Sequence, residues 1–169
     1  MELYYDEMDS PVGKLLLISS RKKLVRIDYG SFSESKEEVS KWIHRYIPNA
    51  RLIRSTEALY DVRNQLERYF SQKSAPFNIE MELYGTPFQK KVWQALYDSI
   101  PYGETKSYKD IARLIGNPKA VRAVGGAVNK NPFSIIIPCH RVIGASGKMV
   151  GYNGGLDKKE FLLQHEGII

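Results

Sequence analysis

Apolar residues change their spacing several times along the chain, and each change predicts an element. Leu15-Leu16-Leu17-Ile18 and Leu24-Val25-Arg26-Ile27 are short strand-like runs, with Ser10-Pro11-Val12-Gly13 ahead of them and Ser19 to Lys23 as the turn between. From Ser35 the period lengthens. Val39, Trp42, Ile43, Tyr46 and Ile47 recur at helical intervals until Pro48 stops the ladder. His44 falls off that stripe and is expected at the surface. A second helix is expected from Thr56, with Leu59, Val62, Leu66, Tyr69 and Phe70 on one face, and a strand from Phe77 to Leu83 would close the unit. These aromatic stripes read as core, and no cluster in this half suggests chemistry.

Beyond residue 85 the punctuation is helical. Thr86-Pro87-Phe88-Gln89 combines an N-cap, a proline at the first helical position and a glutamine placed to complete a capping box, with Val92, Trp93 and Leu96 as the apolar face. Ser107-Tyr108-Lys109-Asp110 starts another helix carrying Ile111, Ala112, Leu114 and Ile115, which stops at Gly116. Asn117-Pro118 is expected to cap a third at once, with Ala120, Val121, Ala123, Val124, Ala127 and Val128. Two short helices across a tight turn form a helix-turn-helix pattern. Gly125-Gly126 inside the third helix disfavours it by roughly 1 kcal/mol each against alanine. Close packing of another helix, or approach of a nucleic-acid backbone, would justify them.

Charge separates the halves. Residues 1–85 hold thirteen Lys/Arg and thirteen Asp/Glu, so the whole net charge of +6 lies beyond them. Between Lys106 and Lys148 stand eight basic residues (Lys106, Lys109, Arg113, Lys119, Arg122, Lys130, Arg141, Lys148) against Asp110 alone. Solvated faces tend to mix signs, and an excess of this kind suits a polyanion such as nucleic acid. The 43% hydrophobic and 26% charged composition is that of a globular chain able to build a core. No run approaches the ~18 apolar residues of a membrane span. The start, Met1-Glu2-Leu3-Tyr4-Tyr5-Asp6, is not that of a signal peptide, so a reducing, cytoplasmic setting and no membrane partner are expected.

The single cysteine lies in Pro138-Cys139-His140-Arg141-Val142, directly after Ile135, Ile136 and Ile137. An apolar run ending in proline suggests a buried segment stopping at a surface turn, with rigid support behind the cysteine and solvent or ligand in front. His140 and Arg141 can favour the thiolate. The alternative is a buried, inert cysteine acting as a small hydrophobe. A phosphatase-type Cys-x5-Arg loop would need arginine at Ala145, and with no second cysteine there is no disulfide cycle. What remains is a nucleophile that attacks once, or one released by hydrolysis.

Taken together, the segment from Pro87 to Gly167 closely resembles the O6-alkylguanine-DNA alkyltransferases. The resemblance is carried by Pro138-Cys139-His140-Arg141-Val142, by the run from Gly116 to Ala127, by Asn131-Pro132, by Gly151-Tyr152-Asn153-Gly154-Gly155-Leu156 and by His165-Glu166-Gly167. The first half resembles the family more weakly, through its strand–helix layout and the stretch Gln65 to Phe70. The resemblance implies an α/β (α+β) chain. A ribonuclease-H-like sheet-and-helix domain would occupy residues 1–84, and a mostly helical, winged-helix-like helix-turn-helix domain residues 85–169. Some members hold zinc in the first domain through cysteines and histidines; this chain has no cysteine there, so no metal and no cofactor are expected.

By the same resemblance, Cys139 takes the alkyl group from O6-alkylguanine, and from O4-alkylthymine, in double-stranded DNA. Glu166 orients His140 in a Cys–water–His–Glu relay, and Tyr108 donates a proton to the departing base. Asn131 ties the recognition helix to the cysteine segment. The nucleotide must leave the stack to be reached, and Arg122 would fill the gap while Ala123, Gly125, Gly126 and Ala127 let the helix enter the minor groove. Lys130 and Arg141 are expected among the DNA contacts. Pro138, Met149, Val150, Tyr152 and Asn153 would line the alkyl pocket. The protein is expected to act as a monomer. A regulatory helix-turn-helix protein that binds alkylated DNA without catalysis is the alternative, and it leaves Cys139, Tyr108 and Glu166 unexplained. A cysteine hydrolase leaves the charge asymmetry unexplained.

Overall fold

Leucine-rich segments of the first half pair into one four-stranded sheet. In the computed structural model, which describes residues 1–72, 76–144, 147, 151–152 and 154–169, the chain divides into two units, Met1–Tyr84 and Gly85–Ile169. The first contains β1 (Glu2–Met8), β2 (Leu15–Ser19), β3 (Leu24–Tyr29), α1 (Phe32–Tyr46), β4 (Arg51–Arg54) and α2 (Tyr60–Ser71). Strand order is β3-β2-β1-β4, antiparallel except for the β1–β4 pair, in which Leu3 stands beside Leu52. Every residue of β2 is buried, because the strand is central and both faces are covered. Leu16 and Ile18 join Leu3, Val25, Val39, Ile43 and Ile47 in one cluster, which places α1 on that face. Alternation along β1 sends Asp6 to the other face, where Arg63 of α2 meets it at 2.8 Å.

Three expectations for this unit are corrected. Helix α1 begins before Ser35, at a capping box between Ser31 and Glu34. The second helix does not start at Thr56. Residues 56–59 form a turn in which Ala58 N donates to the Ser55 hydroxyl and Leu59 N to the Thr56 carbonyl, and α2 follows at Tyr60. The strand from Phe77 to Leu83 reduces to one bridge, Met81 beside Leu24, because only Leu24 N and Glu82 N find ladder partners.

Among its described residues the regular elements of the second unit are helical apart from one short strand pair. It contains α3 (Pro87–Ser99), β5 (Lys106–Ser107), α4 (Tyr108–Leu114), α5 (Val121–Asn129), a 3-10 turn (Cys139–Arg141), β6 (Val142–Ile143) and α6 (Leu156–His165). Thr86 and Gln89 cap α3 reciprocally at 3.1 and 3.0 Å, as the sequence suggested. Helix α5 packs on α3 and α4, and Trp93 Nε1 donates to the Ala127 carbonyl at 2.8 Å. Asn117 does not cap α5. Gly116 adopts φ +79°, Asn117 N returns to the Ala112 carbonyl to close α4, and α5 begins only after Ala120, which makes no side-chain cap. The parallel pair β5–β6 sets Lys106 beside Val142 and Ser107 beside Ile143, so the start of α4 is carried to the end of the cysteine turn. No described helix is long and apolar enough to cross a membrane.

Candidate active site

The loop between α5 and the 3-10 turn has little regular hydrogen bonding, so one side chain supplies it. Asn131, 2% exposed, donates from Nδ2 to the Ile137 carbonyl and accepts from Phe133 N, both at 2.9 Å. Ile135 is held at φ +76°, a costly conformation for a β-branched residue, tolerated here because its side chain is fully buried. The three isoleucines form buried turns that lead into Pro138, also buried, and Cys139. Cys139 itself is 2% exposed, so of the solvent or ligand expected in front of it, solvent has almost no access, and it opens the 3-10 turn.

Burial pushes the Cys139 thiol pKa up from its ordinary value, against hydrogen bonds from the Asn131 and Tyr152 side chains and the charge of Lys159. The resting thiol is therefore protonated. His140, with no exposed surface, places Nε2 at 2.6 Å from Glu166 Oε2. Glu166 caps the C-terminal end of α6 and also accepts from Arg141 Nε at 2.7 Å, Arg141 Nη2 at 3.1 Å and Gly103 N at 3.2 Å. Burial would raise the Glu166 carboxyl, but His140 and Arg141 outweigh it and hold the group well below the carboxylate range. An ionised carboxylate only accepts, so Nε2 carries the imidazole proton and Nδ1 is the basic nitrogen. Nδ1 is buried and has no hydrogen-bond partner among the described residues. Burial pushes the imidazole below its usual pKa despite Glu166, so it rests neutral.

Tyr108 is half-buried at the first position of α4, which Ser107 and Asp110 cap reciprocally. Burial raises its phenol pKa, and a negative charge on Cys139 would raise it further. A Cβ on Gly125 would meet the Tyr108 ring at 3.9 Å, an ordinary contact, so this face of α5 packs beside the tyrosine without requiring a glycine. Gly126, in contrast, opens onto empty space. Arg122, Ala123, Gly126 and Lys130 form an exposed strip along and just beyond α5.

Two expected DNA contacts are corrected. Ala127 is 3% exposed and packs inward beside the carbonyl that Trp93 holds. Arg141 is 7% exposed, and besides Glu166 it donates from Nη1 to the Ile100 carbonyl at 2.7 Å. Its cation is committed to the carboxylate, so it does not favour the thiolate as a free neighbour would. Met149, Val150 and Asn153 lie outside the described residues, and Tyr152 is half-buried beside the thiol.

One residue escaped the sequence reading. Lys159 on α6 has no exposed surface and donates from Nζ to the Val142 carbonyl at 2.6 Å. Burial lowers its pKa, and Cys139 opposes that shift. A signal existed: Lys159 falls three positions before buried Leu162 and seven before Glu166, on the inward face of the helix. Among the described residues no group of three or more His, Cys, Asp or Glu is placed to hold a metal ion.

Comparison with known proteins agrees in both halves. Residues 87–168 match the family model described as 6-O-methylguanine DNA methyltransferase, DNA binding domain. Residues 3–83 match that of the same name's ribonuclease-like domain. The chain is 48% identical to the methylated-DNA–protein-cysteine methyltransferase of Methanosarcina barkeri, over 97% of each chain. It is 45% identical to the protein of that name from Haemophilus influenzae, over 98% of this chain and 87% of that one. Among solved structures, Mycobacterium tuberculosis OGT in complex with DNA superposes with a TM-score of 0.80 at 39% identity, covering 98% of this chain and 92% of that one.

Proposed function

This chain belongs to the methylated-DNA–protein-cysteine methyltransferase family, and we propose that it repairs DNA by moving the alkyl group of O6-alkylguanine onto Cys139, once per molecule. The observation that carries the residue roles is the buried array itself. The only thiol of the chain adjoins a neutral imidazole whose Nε2 is occupied by a carboxylate and whose Nδ1 is left basic.

The reaction follows from those protonation states. His140 Nδ1 takes the Cys139 proton through a bridging water, since consecutive side chains diverge, and Glu166 stabilises the imidazolium. The sulfur pair attacks the alkyl carbon, a C–S bond forms, and the carbon–O6 bond breaks with its pair passing to the guanine. Lys159 and the side chains of Asn131 and Tyr152 favour the anionic sulfur. Tyr108, still protonated at neutral pH because burial raises its pKa, donates to the departing base. The product thioether has no carbonyl for water to attack, and no second cysteine stands nearby to accept the group. The protein is spent after one transfer.

An O6 atom inside a duplex stack is out of reach of a buried thiol, so the nucleotide is extruded. The exposed strip of α5 meets the minor groove, its small residues allow close approach, and Arg122 replaces the extruded base. Mass spectrometry tests the reading. After incubation with DNA containing O6-methylguanine, one equivalent of protein should gain about 14 Da, one methyl replacing one hydrogen, on the peptide bearing Cys139. Cys139→Ala should accept nothing while binding the same DNA. Methyl found on another residue of that variant would overturn the assignment.

A further inference from the structure

Arg141 stands in the cysteine box, yet the reaction above gives it no step. Its side chain is 8% exposed. Nε and Nη2 fork onto the two oxygens of Glu166 at 2.7 and 3.1 Å, Nη1 reaches the Ile100 carbonyl at 2.7 Å, and the guanidinium lies 5.8 Å from the centre of the Tyr102 ring. We propose that Arg141 is a positioning residue for alkyl transfer. Its fork holds Glu166 where Oε2 meets His140 Nε2, and its charge, acting beside burial, offsets the pull of the carboxylate so that Nδ1 stays a proton acceptor.

Geometry supports both halves of this role. Glu166 is the C-cap of α6, and its long side chain needs partners to fix one rotamer. Arg141 Nε and Gly103 N fix Oε1 from two sides, which leaves Oε2 aimed at His140. The turn through Pro101, Tyr102 and Gly103 is thereby tied to the base, with the Tyr102 hydroxyl donating to the His165 carbonyl at 3.4 Å.

The charges facing the imidazole set the second half. Glu166 approaches from α6 with one negative charge and Lys159 from the same helix with a positive one, while Arg141 and the neutral Cys139 thiol flank it on its own turn. A lone carboxylate at 2.6 Å would favour imidazolium. The guanidinium on that same carboxylate oxygen withdraws the advantage, in the direction the imidazole is shifted.

The inference rests on His140 being the base, and the two fail differently. Undiminished transfer in His140→Gln would remove the base itself, whereas the Arg141 role is read from the imidazole directly. In Arg141→Met, an NMR titration of the His140 ring should show proton uptake moved to higher pH by roughly 1–3 units. The acid limb of single-turnover reaction with free O6-benzylguanine should move with it. Arg141→Lys, which keeps the cation, should bring both back towards the native values while remaining slower than native. A uniform rate loss with an unmoved titration in both variants would make Arg141 merely structural. A salt slope of DNA binding reduced by about one in Arg141→Met would make it a phosphate contact, and either result overturns the proposal. Should Arg141→Met not melt cooperatively, the native protein decides. Its His140 should still be neutral below the ordinary value of about 6.5, and protonation at or above it would overturn the proposal.

Discussion

The first unit pairs its buried charges at its margins, and the second gathers them around one sulfur. Asp6, 3% exposed at its side chain, meets Arg63 and Arg54, whose side chains are 30% and 58% exposed. Arg26 forks onto Asp28 at 2.7 Å and reaches Glu38, itself 80% exposed. In both cases one partner keeps contact with water, which limits the desolvation cost. Glu166, His140 and Arg141 have side-chain exposures of 0, 0 and 8%, and Lys159 is fully buried beside them. Charges placed so deep are disfavoured by several kcal/mol per ion before their mutual attraction is counted. A fold seeking stability alone would fill that space with apolar side chains. The contrast separates ion pairs that hold a scaffold from a buried charge array beside the proposed nucleophile and base.

Each unit carries one of the chain's two tryptophans, Trp42 and Trp93, so single-tryptophan variants report on the units separately. Asp6→Ala should lower the urea stability seen by Trp42 by roughly 1–3 kcal/mol, because two cations lose their common acceptor. Alkyl transfer by the folded protein should not change. A variant that folds normally but transfers slowly would break the distinction between scaffold and site.

Acid should act on the second unit first. The folded pKa of His140 is depressed, so its contribution to stability is whole above the unfolded value of about 6.5 and is lost as pH falls towards the folded value. That of Glu166 is whole above about 4.3 and lost as pH falls towards its own depressed folded value. Within each window the Trp93 transition should lose roughly 1.4 kcal/mol per pH unit for each proton bound on unfolding. Urea titrations at pH 7, 6 and 5 check the first window, and at pH 4 and 3 the second. A Trp93 transition that moves no further than that of Trp42 would mean the array is not set apart.

Arg122→Ala should show the smallest effect. It is exposed and belongs to no part of the charge array, so free O6-benzylguanine, which needs no extrusion, should react almost as in the native protein. Transfer from duplex DNA should slow by roughly five- to tenfold, the loss of a group that stabilises the flipped state. Equal slowing on both substrates would place Arg122 in the fold or the pocket instead.

Local patterns made the helices legible where capping chemistry marked them. Thr86 and Gln89, like Ser107 and Asp110, form caps from residues three apart, so neighbouring letters contain the whole interaction. Strands β1 and β4 were not legible, because Glu2–Met8 and Arg51–Arg54 mix apolar and charged residues and become strands only by pairing with each other and with β2. Thr56 misled for a similar reason. Ser55 captures the amide of Ala58 and bends the chain before a helix can form. In the site, Cys139 and His140 were marked by their unusual neighbourhood, whereas Arg141 was read as a thiolate neighbour and DNA contact and Lys159 drew no reading at all.

The sequence by itself determined the nucleophile, the charge asymmetry, the helix-turn-helix pattern and the family, all of which are written in residue type and short spacing. Only the tertiary structure decided which cations face water and which are buried in the site. Arg122 and Lys130 stand outside. Arg141 and Lys159 are drawn inside by Glu166, the Ile100 carbonyl and the Val142 carbonyl, partners 25, 41 and 17 residues away. The physical reason is that a charge's effect depends on its distance from its partners and on the water excluded between them. Both are set by packing of α6 against the cysteine turn, and by the β5–β6 pair that closes the same site from the other side.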